Sequence, residues 1–160
     1  MNTDTKYTEL LKKQIAEIRK ENHWLEFKSN YQEADRLGRY ISALANGACL
    51  DHEDFAYLYF GVDDATLSVK GTTFNVSDLK AKGNQSLELY LRQYITPCIP
   101  FEFEEFLYDE NVRVVRLRIP AAAGEPVAYF GKSGEIERKL HENFRRVRCL
   151  KASIIKAKIW

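Results

Sequence analysis

Phe55-Ala56-Tyr57-Leu58-Tyr59-Phe60-Gly61-Val62 is a continuously apolar run. So short a run, rich in aromatic side chains, reads as a central strand covered on both faces, so a sheet lies at the centre of the fold. Asp63-Asp64-Ala65 then turns the chain into Thr66–Lys70, expected as a hairpin partner. Upstream, Trp24-Leu25-Glu26-Phe27-Lys28 reads as a shorter strand. Its alternation places Leu25 and Phe27 on one face and Trp24, Glu26 and Lys28 on the other. The two strands should be neighbours in one sheet. Between them, after a break at Ser29-Asn30, Leu37, Tyr40, Ile41, Leu44 and Ala45 form one helical stripe, with Asn46-Gly47 as its stop.

The same periodicities extend to both ends of the chain. Leu10, Leu11, Ile15 and Ile18 mark a helix over 7–19. Gly83-Asn84 precedes a helix over 85–94, which Pro97 must close. Phe101 and Phe103 alternate with Glu102 and Glu104, and after an Asp109-Glu110-Asn111 turn Val112–Ile119 returns with Arg113, Arg116 and Arg118. These acids and arginines are expected to pair across strands on an exposed face. Pro126–Phe130 reads as a last short strand and Ser153–Trp160 as helical. Helices and strands interleave without strict alternation, which predicts an α+β fold with a mixed, mainly antiparallel sheet and helices packed on it. Leu37, Ile41, Leu44, Leu58, Phe60 and Val62 should form its core.

The chain has 160 residues, 45% hydrophobic and 29% charged, the proportions of one ordinary folded domain. We take residues 1–160 as that domain, with an N-terminal helix in 1–20 and a basic segment over 132–160. No run approaches the roughly 20 apolar residues of a membrane span. The start, MNTDTKYTELLKK, lacks the basic-then-apolar layout of a signal peptide, so a cytoplasmic protein with no membrane partner is expected. Cys49, Cys98 and Cys149 are odd in number and far apart, which suggests reduced, mostly buried thiols. The net charge of +1 hides an asymmetry: residues 132–160 hold nine cations against three anions, or +6. Such a segment suits a polyanionic partner, with a solvated helix face as the bland alternative.

Several local signals carry less. Gly131-Lys132-Ser133 follows a strand, but a phosphate-binding loop needs glycine five positions before Gly131, where Pro126 stands. Cys49 and His52 have a metal-like spacing without a second close pair. His23, beside a strand, reads as a surface or cap residue.

The order and spacing of several short motifs resemble the AlbA-like DNA-binding domain of the Schlafen family. The resemblance covers Glu21 with Leu25-Glu26-Phe27-Lys28, then Ile41–Asn46, Tyr57–Asp64 and Gly71-Thr72-Thr73-Phe74. It resumes at Ile119-Pro120-Ala121, Pro126–Phe130 and Ile159-Trp160. It implies an AlbA-like, Schlafen-core-like architecture. In bacteria such a domain usually precedes a divergent AAA-type ATPase region in predicted transcriptional regulators, which leaves room for an ATPase region in a longer native chain. Eukaryotic relatives include RNases that cut structured RNA with three carboxylates, and the matching positions here are Glu21, Glu26 and Asp64. The chain departs from the pattern at Phe144-Arg145-Arg146-Val147-Arg148, where Arg148 stands in the place of a glycine.

Three readings follow. The first is a nucleic-acid-binding module of a transcriptional regulator, for DNA ahead of RNA, with no cofactor needed for binding. Arg145, Arg146, Arg148 and Lys151 would contact phosphates, with Lys28 as a further candidate. The second is a nuclease with Glu21, Glu26 and Asp64 as catalytic and metal-holding residues, because Mg²⁺ or Mn²⁺ prefers carboxylate oxygens and can activate water. On the bland alternative Glu21 flanks a helix, Glu26 pairs with Lys28 and Asp64 is a turn residue. The third is a structural or oligomerisation domain. A single lobe offers a small basic surface, so a homodimer paired about a two-fold axis, with the C-terminal segments near its interface, is the expected assembly.

Overall fold

A computed structural model of the protein describes residues 2–18, 22–31 and 33–131. The helix expected over 153–160 lies outside them. A four-stranded sheet has the order β1-β2-β5-β4. Its strands are β1 (Leu25–Lys28), β2 (Phe55–Phe60), β4 (Glu102–Tyr108) and β5 (Val112–Pro120). Strand β1 runs parallel to β2, whereas β2–β5 and β5–β4 are antiparallel. Helix α1 (Thr3–Glu17) lies on one face, and α2 (Ala34–Leu50) and α3 (Leu87–Tyr94) on the other. Strands β3 (Ile95–Thr96) and β6 (Ala128–Tyr129) form a separate two-stranded ribbon. The architecture is α+β, as the interleaved pattern predicts.

Strand β2 is enclosed on every side. Ala56, Leu58 and Phe60 meet Leu37, Ile41 and Leu44 of α2, together with Val115, Leu117 and Ile119 of β5. On the opposite face Tyr59 and Val62 join Leu11, Leu25, Phe27, Phe106 and Val114. All six expected core residues are at most 6% exposed, but they divide between two cores, with Val62 on the α1 side.

Four expectations need correction. Helix α2 does not stop at Asn46-Gly47 but continues to Leu50. Asn46 instead clamps the segment before β6: its amide donates to the Val127 carbonyl (2.9 Å) and its carbonyl accepts the Val127 N–H (2.9 Å), while Ser42 donates to the same carbonyl (2.8 Å). At Gly47 helix α2 passes close to the chain before β1, since a Cβ there would overlap the His23 carbonyl. Thr66–Lys70 is no strand; Val62 and Val69 form an isolated bridge, and the rest is loop. Gly61, at φ +107°, makes this return possible, its carbonyl accepting from Lys70 and Gly71 (2.8 and 2.9 Å). The two described thiols are not deeply buried: Cys49 is half-buried and Cys98 exposed, while Cys149 lies outside the described residues.

The fourth correction concerns the arginine face. The cross-strand pairs form as expected, Arg113 to Glu105 at 2.6 Å and Arg118 to Glu102 at 2.5 Å. Arg116, however, is only 3% exposed. Its Nε donates to Glu104 at 2.7 Å, and its guanidinium lies 3.9 Å from the centre of the Tyr7 ring of α1. Tyr7 donates to the same carboxylate (3.1 Å), and Tyr59 donates to Gln14 of α1 (2.5 Å). Alternation alone could not reveal that α1 covers this end of the sheet.

Leu58→Ala and Leu44→Ala should each lower the unfolding free energy by about 2–5 kcal/mol, because both side chains are buried in the core. A loss below about 0.5 kcal/mol in a denaturant titration would place them at the surface. Glu104→Leu should cost about 3–5 kcal/mol by stranding the Arg116 guanidinium, and adding Arg116→Met should recover most of that loss. A single variant as stable as the parent would show the pair to be solvated.

Candidate functional site

Parallel pairing sets the geometry. Lys28 lies opposite Phe60 in the register, and its carbonyl accepts the N–H groups of Gly61 and Val62 (2.8 and 3.2 Å). The C-terminal ends of β1 and β2 therefore sit side by side, the edge at which sheets with parallel strands commonly present functional groups. Asp63 and Asp64 follow immediately but divide the work. Asp63 Oδ1 accepts from the N–H groups of Ala65 and Thr66 (3.0 and 2.8 Å) and so builds the turn. The Thr66 bonds hold its carboxyl below the usual aspartate range. Asp64 is left exposed and reaches toward Lys28.

Lys28 is the hub. Its Nζ lies 2.8 Å from Glu26 Oε1, 4.0 Å from Asp64 Oδ2 and 5.2 Å from the centre of the Tyr40 ring. Both carboxylate oxygens are thus no farther apart than the sum of the first two distances, so Glu26 and Asp64 face one ammonium. Burial pulls the ammonium toward neutrality, but hydrogen bonds with Glu26 and Tyr40 outweigh it and raise its pKa above the ordinary lysine value. Lys28 therefore stays charged at neutral pH.

Glu26 and Asp64 present hard oxygen donors of the kind Mg²⁺ or Mn²⁺ takes, but here the Lys28 ammonium faces both. Among the described residues no group of three or more His, Cys, Asp or Glu side chains is placed to hold a metal. Two carboxylates and one lysine leave the cluster at −1, and a divalent cation at this point would have to displace the ammonium. Glu21 lies outside the described residues, as do Arg145, Arg146, Arg148 and Lys151. With +6 over 132–160 and +1 overall, residues 1–131 carry −5.

Two features escaped the sequence. His23 is held by Asp51, whose carboxylate lies 3.1 Å from the His23 N–H and 3.2 Å from its Nδ1. A recess beside Lys28, lined by Tyr31, Arg36, Leu37, Tyr40 and Phe60, adjoins the acidic pair. The signal for it was present in Asn30-Tyr31 and Gly71-Thr72-Thr73-Phe74, which the fold brings together: Thr72 Oγ1 donates to Asn30 Oδ1 at 2.7 Å.

No helix among the described residues is long and apolar enough to cross a membrane. The chain is similar to the N-terminal domain of a RecG-related protein from Nitrosomonas europaea, solved by solution NMR, at 17% identity and a TM-score of 0.47. The match covers 83% of this chain and 84% of that one. No curated protein matches. The model of the family described as Schlafen, AlbA_2 matches residues 21–149, from just ahead of β1 into the basic segment. With most of its length matched, the chain belongs to the Schlafen AlbA_2 family.

Proposed function

We propose that this chain is a nucleic-acid-binding module of a transcriptional regulator, taking DNA in preference to RNA. Membership of the Schlafen AlbA_2 family fits a nucleic-acid-binding role. The observation that carries the reading is charge segregation, +6 over 132–160 against −5 over the rest. A polyanion is repelled by most of this molecule and attracted by one segment, so phosphate contacts fall to Arg145, Arg146, Arg148 and Lys151. Lys28 adds a contact, since Glu26 and Tyr40 take two of its three N–H donors. Binding of this kind gives affinity without base choice.

A second reading rests on the convergence of Glu26 and Asp64 at the ends of β1 and β2. With Glu21 completing the set, these carboxylates would hold Mg²⁺ or Mn²⁺, which when bound supplies an activated water and neutralises phosphate charge. The chain's own contribution would be to aim Glu26 and Asp64 at one point, from which the Lys28 ammonium would have to withdraw.

Duplex DNA should bind weakly and lose affinity steeply with salt, each phosphate contact adding about 0.9 to the slope of log K on log salt concentration. Reversing Arg145, Arg146 and Arg148 to glutamate should lower that slope by roughly 3. Unchanged binding in the triple variant returns the segment to a solvated face. For the second reading, Mn²⁺-dependent cleavage of a structured RNA should vanish in Glu26→Gln and in Asp64→Asn. Salt-sensitive binding without cleavage leaves the binding module alone.

A further inference from the structure

The recess beside Lys28 has its own chemistry. It is an open hollow of about 230 Å³, counting the solvent at its mouth. Leu37 and Phe60, each 3% exposed, give it an apolar base, and the half-buried rings of Tyr31 and Tyr40 stand beside them. Lys28 and the exposed Arg36 bring positive charge to the same hollow. We propose that it takes one unpaired base of a single-stranded nucleic acid, stacked on Tyr31, with the adjoining phosphate at Lys28 and Arg36. The inference deepens the nucleic-acid reading and rests on it.

Stacking state selects the ligand class. A base inside a duplex has both faces stacked and cannot enter, whereas an unpaired base can. Sequence-tolerant binding of single strands uses this combination of an aromatic platform and nearby cations.

The platform is built in advance. Phe74 stacks on Tyr31 at 4.9 Å with the rings 6° from parallel. Phe74 is itself 3% exposed and wedged edge-on by Phe60 at 4.6 Å and Phe103 at 6.1 Å. A base on the other face of Tyr31 would extend an existing stack. The loop is equally fixed: Asn30 Oδ1 accepts from the Tyr31 N–H (2.9 Å) and from Thr72 (2.7 Å), and Asn30 Nδ2 donates to Thr73 (3.3 Å). Arg113 donates to the carbonyls of Thr72 and Phe74 (3.3 and 2.5 Å), pinning that segment to β5. Little ordering remains to be done when a ligand arrives, which is the condition for converting contact into affinity. Gly71-Thr72-Thr73-Phe74 thereby acquires a role, as the backing of Tyr31. Glu33 also lines the hollow, and its carboxylate can accept from a base amino group.

Fluorescence anisotropy with a labelled twelve-nucleotide oligo-dT and with a labelled duplex of the same length tests this on the full chain. Tyr31→Ala should weaken oligo-dT binding about tenfold, within the range of one base–aromatic stack. Tyr31→Phe should retain the parent affinity, and duplex binding should not change in either variant. Melting temperatures within a few degrees of the parent confirm that Tyr31→Ala folds. An equal effect of Tyr31→Ala on both probes, or none on oligo-dT, overturns the base pocket while leaving the binding module intact. AMP that competes with oligo-dT more strongly than unlabelled oligo-dT itself makes this a free-nucleotide site and overturns the strand assignment. Parent protein that binds neither probe overturns the pocket and the module together.

Discussion

The burial of β2 is the constraint on which the rest of the structure depends. A strand whose residues are apolar on both faces has to be covered twice, and one with hydrogen-bonding edges on both sides needs two neighbours. The chain supplies α1 and α2 as the covers and β1 and β5 as the neighbours. Helix α2 follows β1 and precedes β2, so the connection crosses the sheet and the two strands lie parallel. Everything at the candidate site descends from that direction. Had β1 run antiparallel, Lys28 would lie at the opposite end of the sheet from Asp64.

The charges follow a similar economy. Arg116 sits on the sheet face that α1 covers, where an unpaired cation would be costly, and Glu104 and the Tyr7 ring answer it. Lys28 sits on the α2 face at the sheet's edge strand, where Glu26, Asp64 and Tyr40 answer it. The first arrangement is closed off by a helix. The second is open on one side and adjoins a recess. That difference, rather than the number of charges, separates the structural cluster from the functional candidate.

Much of this was legible in the residues because periodicity is a local property. Alternation in Leu25–Lys28 and the helical stripe from Leu37 to Ala45 each identify an element and its buried face. The Glu26–Lys28 pair was legible too, since residues two apart on a strand share a face. Other features depend on what is distant in sequence. Asn46 looks like a helix terminator until Val127 arrives to be clamped, and Gly47 looks like a cap until the His23 carbonyl passes over it. Arg116 reads as exposed until α1 lies across it. Asp63 and Asp64 look alike, and only the turn hydrogen bonds show that Asp63 is occupied and Asp64 available.

The recess illustrates the same limit from the side of function. Asn30 and Tyr31 look like a loop, and Thr72 and Phe74 like the start of another. Their meeting requires β2 to end before Gly61 and the chain to fold back past Val69, so that Gly71 returns to the Gly61 carbonyl. From there Thr72 is drawn onto β5 by its N–H bond to Arg113 (2.9 Å), and Phe74 is delivered beneath Tyr31. A glycine at each end of the return is what permits it, because a Cβ on Gly61 would press against the backbone of Gly71. The aromatic stack and the lysine–carboxylate cluster are therefore two products of one event, the turn that follows β2. A change at either glycine would disturb both together, whereas a change at Tyr31 reaches the recess and leaves the cluster in place.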